Sequence, residues 1–184
     1  MSARRFRGLL SVTGRSRGSS LVELALVLPI LLILVLGVID FGRALQFNNV
    51  LIAMSREGAN LAARTTADPQ AIITALVVSS HPVDMPGVGM IYVSSFSGQA
   101  NGQGVLQSQA RYGGGNLSLA SRIYNCSGWS SSNCLVPKPA PAVSLPIALQ
   151  DGEVVHVVEV VYNFVPITGF VWTSARELYS ETVL

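Results

Sequence analysis

From Leu24 to Ile39 the chain reads LALVLPILLILVLGVI, without one charged or hydrogen-bonding side chain, and no other stretch so restricts what it can fold into. Counted onward to Phe41, the run approaches the roughly 20 residues that cross about 30 Å of hydrocarbon as an α-helix. Its Leu, Ile and Val side chains supply roughly −6 kcal/mol of insertion propensity, against about +3 kcal/mol for a charge at the centre of a span. Glu23 stands at the leading edge, where the cost is smaller, so a transmembrane helix over 19–42 is the reading. Pro29, inside the run, removes one backbone donor and is expected to kink or loosen the helix there.

Charge orients this helix. Arg4, Arg5, Arg7, Arg15 and Arg17 precede it with no acid among them, which keeps the amino terminus cytoplasmic and exports the chain beyond the span. Residues 19–184 carry seven basic and ten acidic side chains, so the net charge of +2 comes from the leader, and no nucleic-acid footprint is present. A cleaved secretory signal would also begin with a basic region, but this apolar run is long for one, and Asp40, Phe41 and Arg43 follow it where small residues would be needed.

Beyond the membrane, Phe41, Ala44, Leu45, Leu51, Ile52, Ser55, Ala59 and Ala62 recur at three- and four-residue steps, predicting that the helix continues over 43–64 with a narrow buried face. From Ser20 to Arg64 it would be roughly 65 Å long. Asp68 as N-cap and Pro69 at the first position predict a short helix over 69–79. GMIYVSSF, NLSLASRIYN, EVVHVVEVVYNF and ELYSETVL are candidate strands, rich in β-branched and aromatic residues, of a small antiparallel sheet spanning 89–184. The Gly/Gln-rich stretch from Gly98 to Gly115 and the Pro-rich VPKPAPAVSLP read as loops. The fold class is therefore α+β, with a long amino-terminal transmembrane helix running into one exported domain, 43–184.

Cys126 and Cys134 flank SGWSSSN. In an exported domain this spacing favours a disulfide over free thiols or a metal site, which would need further ligands. His81 and His156 belong to no ligand-spaced motif, so neither a metal nor another cofactor is expected. Trp129, within the loop, either packs on the sheet or is offered to a partner. Gly14-Arg15-Ser16-Arg17-Gly18 matches G-x-S-x-G by letter, but an Arg-rich leader provides neither the preceding strand nor the His and acid partners that a nucleophile elbow requires. No P-loop, H-E-x-x-H or paired-CxxC site occurs, so no enzyme and no small-molecule substrate are expected.

Gly18, four residues, then Glu23, set between an Arg-rich leader and an apolar helix, resembles the processing pattern of type IV prepilins. With Pro29, Gly37, the Asp40-Phe41-Gly42 triplet and the subsequent REGANLAA, the segment is similar to the TadE-like pseudopilins of tight-adherence (Flp) pilus systems. The resemblance covers about fifty residues, and VVEVVYNFVPITGF is less distinctively similar to the carboxy-terminal strand of those proteins. It implies a pilin-like fold and a basic leader, 1–18, removed by a prepilin peptidase between Gly18 and Ser19. It also implies a bacterial inner-membrane protein with a periplasmic domain, assembling with other pilin-like subunits and the inner-membrane machinery of the pilus. The role carried onto Glu23 is to pair with the new α-amino group of a neighbouring subunit's Ser19. An interfacial carboxylate with no role in assembly is the plain alternative for this residue. For the whole chain the alternatives are an uncleaved, membrane-anchored binding or adhesion module and, more remotely, an exported hydrolase.

Overall fold

The computed structural model describes residues 16–169 and 172–184. Residues 1–15 of the basic leader, with Arg4, Arg5, Arg7 and Arg15, lie outside the described residues, as do Gly14 and Arg15 of the G-x-S-x-G match.

Helix α1 runs unbroken over Ser16–Arg64, 49 residues, or about 74 Å at 1.5 Å per residue. It passes through Pro29 without interruption, although the carbonyl of Ala25 there loses its amide donor. It begins upstream of Ser19, so the Gly18–Ser19 bond lies within the first helical turn and not just before the helix.

The two halves of α1 differ completely in surroundings. The 18-residue window of highest hydropathy, mean 3.0, is not buried at all, whereas the second half packs on a sheet. Its buried positions are Asp40, Ala44, Phe47, Leu51, Met54, Ser55, Gly58, Ala59 and Ala62, three to four residues apart for the most part, one face of a 3.6-residue helix. This face is rotated from the one predicted. Phe41 and Leu45 are exposed, while Asp40, Phe47, Met54 and Gly58, absent from the predicted set, turn inward. The closest approach is at Gly58, where a Cβ would stand 2.8 Å from Leu76 Cδ1 and 3.0 Å from Val158 Cγ1.

Helix α2, Pro69–Val78, starts as the cap chemistry predicts, with the Asp68 carboxylate accepting from the Gln70 amide. It buries Ile72, Ile73 and Leu76 against α1 and the sheet.

The sheet has seven strands: β1 Gly89–Gly98, β2 Gly104–Arg111, β3 Trp129–Ser130, β4 Asn133–Cys134, β5 Ala142–Val143, β6 Val154–Phe164 and β7 Arg176–Val183. The order is β3-β4-β2-β1-β6-β7 with β5 beside β2, and every pairing is antiparallel. Helix α1 lies over β6 and β7, where Ser55 Oγ hydrogen-bonds Ser180 Oγ at 2.9 Å and Thr182 Oγ1 at 3.0 Å. Alternation along β6 decides the faces. Val158, Val160, Tyr162 and Phe164 meet the helices, while Val155, Val157 and Val161 enter two clusters on the far face.

Three predicted elements are corrected, the first being the Pro-rich VPKPAPAVSLP, which is not all loop because Ala142–Val143 within it is strand β5, paired with β2. The Gly98–Gly115 stretch is not all loop: Gly98 and Gly104 bound a tight β1–β2 connection, with Gly102 at φ +80°, and VLQSQA is strand β2. NLSLASRIYN is not a strand. It is irregular chain laid over the far face and held by side chains of the sheet. The Glu159 carboxylate, fully buried on β6, accepts from the Arg122 amide at 2.8 Å, the Ile123 amide at 3.3 Å and the Ser121 hydroxyl. Gln109 donates to the Tyr124 carbonyl at 2.9 Å, and Tyr92 to the Leu119 carbonyl at 2.6 Å. Several backbone groups of the segment are thus satisfied by side chains of the sheet, as burial demands.

Candidate assembly and processing site

The candidate residues at the amino-terminal end lie along one bare helix. Gly18 has open space around it, and a Cβ added there would meet no atom within 4 Å. Among the described residues no packing contact therefore requires glycine at that position. Ser19 Oγ donates to Glu23 Oε1 at 3.4 Å, one helical turn on, and both residues are exposed. From Leu21 to Ile39 the large apolar side chains, Leu36 apart, are exposed, so among the described residues this apolar surface is not covered. An exposed apolar surface of this extent is unstable in water and must be covered by lipid or protein.

The boundary between the bare and packed halves is made by a residue whose role sequence reading missed. Asp40 is 1% exposed, and its carboxylate accepts from the Ile167 amide at 2.9 Å, the Thr168 amide at 3.2 Å and the Thr168 hydroxyl. It thereby fastens the β6–β7 connection to the helix at the point where the apolar run ends. Its position next to a span was the only signal in the sequence, because an acid there would be costly unless its charge were satisfied. One turn on, the Arg43 guanidinium lies over the Phe47 and Phe164 rings, 5.2 and 5.7 Å from their centroids.

Cys126 and Cys134 are joined by a disulfide, with their Cα atoms 5.9 Å apart. The bridge closes the short β3–β4 hairpin, in which Trp129 pairs with Cys134. Trp129 packs on the sheet, against the Met90, Tyr92 and Leu119 cluster, and the Arg111 guanidinium stacks 4.1 Å above its ring. It is not offered as a free aromatic contact.

The remaining ionisable groups organise the fold. The Tyr179 phenol lies 2.8 Å from Glu159 and 2.6 Å from Glu181, and its single proton serves one carboxylate at a time. Burial, then these carboxylates, raise the phenol well above its ordinary range, so it remains a donor. His156 lines a cleft of about 320 Å³ with Ser94, Ser95 and Ser108 between the ends of the helices and the sheet, and burial lowers its imidazole. His81 lies in the turn after α2. Among the described residues no three His, Cys, Asp or Glu side chains gather as a metal centre would require.

No curated protein and no solved structure matches the chain. Residues 18–60, which hold Gly18, Glu23, the bare half of α1, Asp40 and most of the packed half, match the family model described as TadE-like protein, so this stretch of the chain is TadE-like.

Proposed function

We propose that the protein is a minor pilin or pseudopilin, processed by a prepilin peptidase between Gly18 and Ser19 and assembled with other pilin-like subunits of a tight-adherence pilus. The observation that carries this reading is the bare half of α1. It is long enough to cross a bilayer, its most apolar 18-residue window is unburied among the described residues, and it lies within the TadE-like match. In lipid such a helix is stable alone. It leaves lipid only by packing against helices of the same kind, and this exchange of contacts is assembly.

Processing creates the group that sets the register. The new α-amino group on Ser19 is positive unless its pKa falls, and among apolar helices an unpaired ion is strongly disfavoured. Glu23 lies four residues on, about 6 Å along the axis, so a modest stagger brings one subunit's carboxylate to its neighbour's amine. Wrong staggers leave both charges unmatched. The domain 43–184 faces the periplasm on this reading and supplies lateral or tip contacts, while the basic leader keeps the precursor oriented in the inner membrane.

The experiment is terminal sequencing of the membrane- or pilus-associated protein from cells with an active prepilin peptidase. Ser19 as the first residue is the expected result. Met1 or Ser2 would overturn processing and leave the uncleaved anchored module in its place.

A further inference from the structure

The β6–β7 connection carries a feature that pilus assembly does not use. Val165 is 61% and Ile167 69% exposed, although both come within three residues of the end of the largely buried strand β6. They do not project at random. The Ile167 and Thr168 amides are bound by Asp40, the residue at which the apolar run of α1 ends, so the two side chains are held level with the end of the span. On α1 itself, Phe41 is exposed beside Asp40 and Leu45 one turn further on. Trp172 completes the group, half-buried, its ring centroid 6.3 Å from that of Phe41 and 6.2 Å from that of Phe164.

We propose that Val165, Ile167 and Trp172, with Phe41 and Leu45, form a foot by which the folded domain rests in the lipid headgroup layer beside its own transmembrane helix. The surface is continuous with the lipid-facing band of α1, which argues for lipid as its occupant. Trp at the bilayer–water boundary places its ring among the headgroups, with the indole N–H toward water. The Asp40 carboxylate accepts from the amides and the hydroxyl of the connection, which offsets part of the cost of a charge in this layer. The domain would then stand at a fixed height and tilt above the membrane before assembly and would not swing from a flexible tether.

This inference rests on membrane anchoring through α1, and the test separates the two. The full chain is reconstituted into phosphatidylcholine vesicles and first extracted with alkaline carbonate; release from the vesicles would remove the anchoring reading and the foot with it. Resistant protein is then examined in vesicles whose lipids are brominated either near the headgroup end of the acyl chains or near their terminal methyls. The chain has two tryptophans, so Trp129→Phe leaves Trp172 as the sole tryptophan, excited selectively at the red edge beyond tyrosine absorption. The expected result is loss of about half of the Trp172 emission with shallow bromines and little loss with deep ones, as for a ring at headgroup depth. Wild type shows the same quenchable component if Trp129→Phe folds poorly, and Trp172→Phe abolishes it, because Trp129 packs on the far face of the sheet. Val165→Ser with Ile167→Ser, both at exposed positions, should reduce the quenching without altering carbonate resistance. Emission from Trp172 that is indifferent to bromine in carbonate-resistant protein overturns the foot, and points to a protein surface or water over this patch.

Discussion

Glu23 and Glu159 are both acids within apolar stretches, and their surroundings separate them. Glu159 is enclosed, with backbone amides, a hydroxyl and a phenol directed at it, so its role is complete within the chain. Glu23 is exposed, with the Ser19 hydroxyl donating to it at 3.4 Å. Its proposed partner is created only by processing and lies on another molecule. Glu23→Leu should therefore insert in the membrane at least as well as wild type and retain substantial cleavage. Removing one member of a buried ion pair costs roughly 3–5 kcal/mol, so recovery with pilin-like partners should fall on the order of tenfold or more. Quantitative co-purification from membranes checks this. Normal incorporation of Glu23→Leu into pili would make the acid an interfacial bystander.

At the level of elements, the irregular chain between β2 and β3 takes its order from the rest of the fold. It depends on Tyr92, Gln109 and Glu159 from the sheet and on the Cys126–Cys134 bridge at its margin. Closing so short a loop contributes about 2.5 kcal/mol on the chain-entropy model. Replacing both cysteines by serine should lower unfolding stability by about that amount, measured by denaturant titration of the detergent-solubilised protein, with the α1–sheet core intact. Two reactive thiols in the native, unreduced protein would contradict the bridge itself. The elements themselves were unequally legible. α1, α2, β1, β6 and β7 announce themselves by apolar periodicity, β-branched content or cap residues. β2 does not, because its polar GVLQSQAR takes part in contacts such as Gln109 with Tyr124 that periodicity cannot show. NLSLASRIYN resembles a strand in composition, yet a buried carboxylate on β6 claims its amides.

For the whole molecule, α1 is both anchor and core. Its second half contributes Ala44, Phe47, Leu51, Met54, Ala59 and Ala62 to the cluster that closes the helix side of the sheet. A chain beginning at Asp40 retains this half and the clamp to Thr168, and should be soluble and melt cooperatively. A chain beginning at Thr65 lacks the half-helix, leaves Val158, Val160 and Phe164 uncovered, and should aggregate or fail to show a cooperative transition. Circular dichroism melts of the two purified fragments distinguish the outcomes. Equal, cooperative folding of both would mean that α1 merely leans on an independent domain.

The sequence alone determined that this protein has a membrane-length helix, that the helix continues into an α+β domain, that its beginning carries a prepilin-like pattern and that the two cysteines are suitably spaced to pair. Each of these is a local property of composition, period or spacing, and local properties survive without knowledge of the fold. Only the tertiary structure decided which face of α1 is buried, that Asp40 holds the β6–β7 connection, that Glu159 organises an irregular segment and that Val165, Ile167 and Trp172 collect where the apolar run ends. Asp40 and Thr168 are 128 positions apart and Ser121 and Glu159 are 38 apart. Contacts at such separations arise from chain topology, and no periodicity along the sequence encodes which distant donor a given carboxylate will find.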